Sequence, residues 1–168
     1  ITGIRLIFSI LRVFNVGSLS MENIKRIPVI PKKDLENELN FKFGKYSILV
    51  TYHPVTLENH SAKEQIDNLL KVLGERNDLN IIFTYPNSDT DGRVIIEEIN
   101  KFVSVYRKRS IARASLGQKR YFSALRYVDA VVGNSSSGIC EVPSFGIPTL
   151  DIGDRQKGRL AADSVIHC

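Results

Sequence analysis

From Tyr46 onward, short β-rich apolar runs alternate with longer stretches in which apolar residues recur at helical spacing. That alternation predicts βαβ units and a parallel sheet. The runs are SILVTYH (47–53), NIIFTY (80–85), a weaker SIARA (110–114), DAVVGN (129–134), PTLDIG (148–153) and a last SVIH, which makes six candidate strands. Between the first two, Ile66, Leu69, Leu70 and Leu73 fall at i, i+3, i+4 and i+7, while Lys63, Glu64, Asp67 and Lys71 lie elsewhere around the turn. Such a helix packs one face on the sheet. Ile95, Ile99, Phe102 or Val103, and Tyr106 repeat the pattern after Asp89 and Asp91, acids suited to a helix N-terminus. Residues 118–128 predict a third, short helix with Tyr121, Phe122, Leu125 and Val128 available for burial.

Right-handed crossovers in a doubly wound, Rossmann-like order 3-2-1-4-5-6 bring the first and fourth strands together, with their following helices on opposite faces. Ligands bind at that switch point, on the carboxyl edge. His53 ends the first of those strands, and Asn134, Ser135 and Ser136 follow the other. Residues 1–45 do not join the pattern: a strand-like RVFNV, then GS, then IPVIP precede the helical DLENEL. They are expected to be an interdomain connection with a remnant of a preceding domain, leaving 46–168 as the Rossmann-like domain.

A chain of 168 residues, 43% apolar and 24% charged, is long enough for one packed domain and too short for two full ones. The formal charge of +5 suits an anionic partner, but the 23 Lys and Arg residues are scattered. No zinc-finger, RNP-type or basic-helix pattern supports nucleic acid. Cys140 and Cys168 fit no metal or redox spacing, so no metal or cofactor is expected, and a reducing cytoplasm is the simpler setting. The opening ITGIRLIFSILRVF is interrupted by Arg5 and Arg12 and is too short to span a bilayer, so no membrane partner is expected.

The chemistry concentrates in GNSSSGICE, residues 133–141. A strand-to-helix turn offers free backbone N–H groups to a diphosphate, and Ser135 and Ser136 add hydroxyl donors. Glu141, about one turn on, is poorly placed for phosphate but suited to accept both hydroxyls of a ribose. The same residues also suit plain helix capping by Ser136 or Ser137, with Glu141 an ordinary first-turn acid. Arg155, in DIGDRQKGR after the fifth strand, can neutralise phosphate oxygens, with Lys157 and Arg159 as competitors and a solvated loop charge as the bland option. His53, just before Pro54, should project over the sheet edge, where an imidazole can hold a sugar hydroxyl or move a proton. Asn87, in YPNSDTDGR, can contact a sugar, and Ser115, Leu116 and Gly117 offer backbone groups to a base edge or simply form a turn. His60 and His167 are read as structural.

Taken together, TYHPVTLE, PNSDTDGR, ASLGQKRYFSAL and GNSSSGICEVPSFGIPTLDIGDRQKGR closely resemble the hydrolysing UDP-N-acetylglucosamine 2-epimerases of sialic and related nonulosonic acid biosynthesis. The resemblance runs from about Arg12 to His167 and includes RVFNVGSLSMENIK, similar to that family's interdomain crossover. It implies the C-terminal, UDP-binding half of a two-domain GT-B architecture. By motif position it implies that Ser135, Ser136 and Arg155 meet the diphosphate, Glu141 the ribose, Ser115–Gly117 the uracil, Asn87 the substrate cleft and His53 the sugar. The HPVT form resembles the hydrolysing branch, whose members eliminate UDP to a 2-acetamidoglucal and then add water to give the 2-epimeric free sugar. That family's catalytic carboxylates lie in the N-terminal domain, and further helices close its fold, so the present residues are expected to bind better than they catalyse. A GT-B glycosyltransferase domain and a non-catalytic nucleotide-sugar-binding module share the same site chemistry. Self-association through apolar surface is left open.

Overall fold

The apolar runs line up as one parallel sheet because their alternate residues are apolar on both faces, the pattern of strands covered by helices on each side. In the computed structural model, which describes residues 19–55, 62–87 and 90–168, the strands are β1 (Tyr46–Thr51), β2 (Leu79–Thr84), β3 (Ser110–Arg113), β4 (Ala130–Gly133), β5 (Thr149–Asp151) and β6 (Val165–His167). Their order is β3-β2-β1-β4-β5-β6, every pair parallel, as the doubly wound expectation required. The expectations for residues 1–18, for His60 within 56–61 and for Asp89 lie outside the described residues.

Two cores follow from the pleat. Ile48, Val50, Ile81, Phe83 and Val132 point to one face and pack under α3 (Ala62–Glu75) and α4 (Thr90–Val105) through Ile66, Leu70, Leu73, Ile95, Ile99 and Phe102. Leu49, Ile82, Ile111 and Val131 point to the other. They meet Leu35 and Leu39 of α2 (Lys32–Leu39), Phe122 of α5 (Gly117–Ala124) and Val142 of the 3-10 turn Val142–Phe145. A helix α1 (Leu19–Arg26) precedes α2, and α6 (Ser136–Cys140) follows β4. The segment expected to be a connection therefore supplies Ile30, Leu35, Leu39, Phe41 and Phe43 to the second core. Ile30 is tied further by its backbone, whose N–H donates to Ser123 and whose carbonyl accepts the Tyr127 hydroxyl.

The third helix stops at Ala124, four residues before its expected end. The N–H groups of Arg126 and Tyr127 turn back to carbonyls three residues earlier, tightening the last turn. Asp129 then exchanges bonds with Ser47: its N–H donates to the Ser47 carbonyl and its carboxylate accepts the Ser47 N–H, each at 2.7 Å. That pair fixes the register of β4 against β1.

Glu36 on α2 holds the next loop, accepting from Lys42 Nζ at 3.0 Å and from the Phe43 N–H at 2.9 Å. The Lys42 bond, then the backbone donor, holds its carboxyl below the ordinary value of 4.5. A depressed folded-state pKa gives stability that is present above the unfolded value and is lost as pH falls through the folded one. The urea midpoint is therefore expected to drop below about pH 4.5, and Glu36→Gln should flatten that acid limb; an unchanged limb in the variant would place the acid sensitivity elsewhere.

Candidate functional site

Two glycines set the close approaches around this edge, one between β1 and β4 and one between α6 and β5. Gly133, opposite Thr51 in the register, has φ +136, and a Cβ there would lie 1.9 Å from the Thr51 carbonyl oxygen. Only a residue without a side chain fits at that approach. Gly138 lets α6 sit on β5, where a Cβ would meet the Thr149 methyl at 2.8 Å; the Thr149 hydroxyl donates to the Gly138 carbonyl at 2.8 Å.

Asn134, fully buried, then fastens the strand ends together. Its Oδ1 accepts the His53 N–H at 2.7 Å and its Nδ2 donates to the His53 carbonyl at 2.8 Å. Its own N–H donates to the Thr51 carbonyl, and its carbonyl accepts from Arg155 Nη1 at 3.0 Å and from buried Gln156 Nε2 at 2.8 Å. One residue thus sets the backbone at His53 and the guanidinium of Arg155. The sequence reading put Asn134 at the crevice but not as this clamp; an Asn directly after a glycine-ended central strand is the signal that was there to use. Asn134→Ala should lower unfolding stability by about 3 kcal/mol, because it removes both side-chain bonds to the half-buried His53 backbone. Chemical denaturation measures this, and a loss below about 1 kcal/mol would mean water replaces the amide fully.

Beside this clamp a cavity of about 340 Å³ opens on the carboxyl edge. Thr51 and Thr84, hydrogen-bonded to each other across β1 and β2, lie in its lining. Ser115, Leu116, Gly117 and Gln118 line it from the loop into α5; Tyr121 and Phe122 add the helix itself, and Ser135, Ser137 and Glu141 come from the turn after β4. The cavity therefore gathers Ser115, Leu116, Gly117, Ser135 and Glu141 from the expected site. His53, Asn87, Ser136 and Arg155 lie outside this lining. Ser136 opens α6 and is exposed, Asn87 is exposed in the loop after β2, and Arg155 sits in the 3-10 turn Asp154–Gln156. His167 is paired with buried Asp151, Nδ1 to Oδ2 at 2.9 Å, in keeping with a structural role.

Among the lining residues that sequence reasoning missed, Tyr121 and Ser137 carry the polar chemistry. Tyr121 falls on the apolar face of its predicted helix and Ser137 is one of two capping candidates, yet their hydroxyls meet at 2.5 Å, and the Ser137 hydroxyl donates to Glu141. Burial, opposed by the Ser137 bond and helped by the Glu141 charge, raises the Tyr121 phenol to about 12, so the phenol stays protonated and able to donate.

The arrangement provides a polar lining of hydroxyls and one carboxylate, with Arg155 outside it on the Asn134 carbonyl and no charged cluster of the kind a metal needs among the described residues. Nor is any described helix long and apolar enough to cross a membrane.

The whole chain can be set beside known proteins. The chain is similar to the GDP/UDP-N,N'-diacetylbacillosamine 2-epimerase (hydrolyzing) of Campylobacter jejuni, 41% identical over 155 residues that cover 92% of this chain and 40% of the relative. It thus spans about 40% of the length of that curated relative. In fold it resembles the S. aureus MnaA–UDP complex, with a TM-score of 0.59 at 16% identity, covering 83% of this chain and 36% of that one. It also resembles the C-terminal domain of the glycosyl transferase group 1 family protein LpcC from Francisella tularensis, with a TM-score of 0.53 at 13% identity. There it covers 86% of this chain and 78% of that domain, so the unit of fold is the C-terminal half of a GT-B architecture. The family model described as UDP-N-acetylglucosamine 2-epimerase matches residues 4–168, nearly the whole sequence including the cavity and its clamp, and the chain belongs to that family.

Proposed function

We propose that this chain is the nucleotide-sugar-binding half of a hydrolysing 2-epimerase that converts a UDP-linked 2-acetamido sugar, UDP-N-acetylglucosamine in the family's eponymous reaction, into the free 2-epimer and UDP. The observation that carries the reading is the cavity itself, in which Glu141 and Ser135 face the Ser115–Gly117 loop across the strand switch point. In this reading the uracil lies against Ser115, Leu116 and Gly117, the ribose diol is accepted by Glu141, and Ser135, Ser136 and Arg155 hold the diphosphate. Arg155 is supported by its bond to the Asn134 carbonyl, which sets the guanidinium beside the serine turn. His53 and Asn87, farther along the same edge, serve the sugar.

The reaction breaks the C1–O bond with loss of the C2 proton, then adds hydroxide equivalent to C1 and a proton to C2 on the opposite face. Residues 1–45 include the connection to a preceding domain that brings the acid/base carboxylates, and the enzyme works in the cytoplasm in the making of nonulosonic acid sugars. A glycosyltransferase would use the same diphosphate and ribose contacts. The HPVT sequence at 53–56 favours hydrolysis, as in the resembling branch.

Isothermal titration with UDP is expected to give saturable heat, and Arg155→Ala should weaken it at least about tenfold, as loss of a charged hydrogen-bond donor does. A folded chain with no UDP heat would sink the reading. For the longer protein, a free 2-epimerised acetamido sugar plus UDP formed without any acceptor separates hydrolysis from transfer.

A further inference from the structure

We propose that Tyr121 and Ser137 form a positioning relay that holds the Glu141 carboxylate in the orientation a ribose diol requires, and so sets the preference for ribo- over deoxyribonucleotides. The inference rests on the reading of Glu141 as the ribose acceptor. Proton counting gives the direction of the relay. Ser137 has one hydroxyl proton and donates it to Glu141 Oε2. Tyr121 must then donate to Ser137, at 2.5 Å. The carboxylate keeps Oε1 and the remaining lone pair of Oε2 for a ligand.

The geometry is local on one side and long-range on the other. Ser137 and Glu141 are four residues apart, and the Glu141 N–H bonds the Ser137 carbonyl at 2.9 Å, so their side chains stack on one helix face. Tyr121 arrives from α5, the helix that begins at the base-side loop, and all three residues line the cavity. The relay therefore couples the loop that would meet the base to the carboxylate that would meet the sugar. Neither hydroxyl touches ligand in this scheme; both act through Glu141.

The test is titration of the chain with UDP and with 2′-deoxy-UDP. Wild type should prefer UDP at least about tenfold, the scale of one hydrogen bond to a charged acceptor. Tyr121→Phe keeps the ring and removes the hydroxyl. It should reduce that preference about fivefold, the scale of one neutral bond, with 2′-deoxy-UDP, which keeps only its 3′-hydroxyl contact to Glu141, weakened less than UDP. Ser137→Ala breaks both bonds and should reduce the preference at least as much. Equal weakening for both nucleotides would indicate a merely structural role, and an unchanged preference in both variants would overturn the relay. If wild type binds the two nucleotides equally, Glu141 is not at the ribose and the relay fails although UDP binding stands. Absence of any UDP heat in wild type is the separate failure of the underlying functional reading.

Discussion

Gly133→Ala should be the most damaging alanine replacement among the described glycines, lowering unfolding stability by about 4 kcal/mol or more. The added carbon would sit 1.9 Å from the Thr51 carbonyl oxygen and 2.7 Å from its carbon, so the obstacle is backbone of the neighbouring central strand and not a movable side chain. The backbone conformation at φ +136 opposes any L side chain independently of the space. Relief requires β1 and β4 to separate where Gly133 and Thr51 pair, and the Thr51 carbonyl is also the acceptor for the Asn134 N–H. Strand separation would thus release the Asn134 clamp on His53 and Arg155 as well. Gly138→Ala is the matched comparison. Its Cβ meets the Thr149 methyl at 2.8 Å, a side-chain contact that a small shift of a short helix relieves, and alanine gains helix propensity. A net cost of about 1–2 kcal/mol is expected there. Urea denaturation of the two variants decides the matter, and a Gly133→Ala midpoint as high as that of Gly138→Ala would refute the close-approach account.

The contrast between these glycines also marks what a sequence of this kind discloses. Strand order was legible because the apolar runs and helical intervals are strictly alternating, and one handedness rule then leaves few topologies. The six strands and the carboxyl-edge position of GNSSSGICE followed from that alone. The early end of α5 was not legible, since Leu125 and Val128 continue the helical spacing; it is set by the Asp129–Ser47 bonds, 82 residues apart in sequence. The packing of α2 was missed for a related reason. Leu35 and Leu39 are one short stripe between prolines and polar residues, and only the second face of the sheet gives them a partner. In the cavity, glutamate and the serine turn were visible as local chemistry. Tyr121 was not, because a tyrosine at helical spacing is normally core, and its polar partner lies on another helix.

Removal of the Glu141 carboxylate is expected to weaken UDP binding at least about thirtyfold, and to do so without unfolding the chain. The proposed contacts explain the size. A carboxylate accepting both ribose hydroxyls makes two charge-assisted bonds, each about 1.5–3 kcal/mol when water is displaced, and Glu141→Ala loses both. The stability cost should be small, because Glu141 is only half-buried and its side-chain donor among the described residues is the Ser137 hydroxyl, which can turn to solvent or to Tyr121. Glu141→Gln is the more discriminating variant. It keeps the shape and one carbonyl acceptor but replaces the second oxygen with an amide donor, so one hydroxyl contact remains and the loss should fall between wild type and alanine. The two site variants also separate by salt. Arg155 faces phosphate charge in this scheme, so the heat lost in Arg155→Ala should shrink as ionic strength rises, whereas the Glu141 variants should keep their relative losses because a neutral diol is the partner. Calorimetry with UDP at low and high salt, beside thermal melting of each variant, reads all of this. Unchanged UDP affinity in Glu141→Ala with an unchanged melting temperature would remove the carboxylate from the ribose, and with it the orientation of nucleotide drawn here.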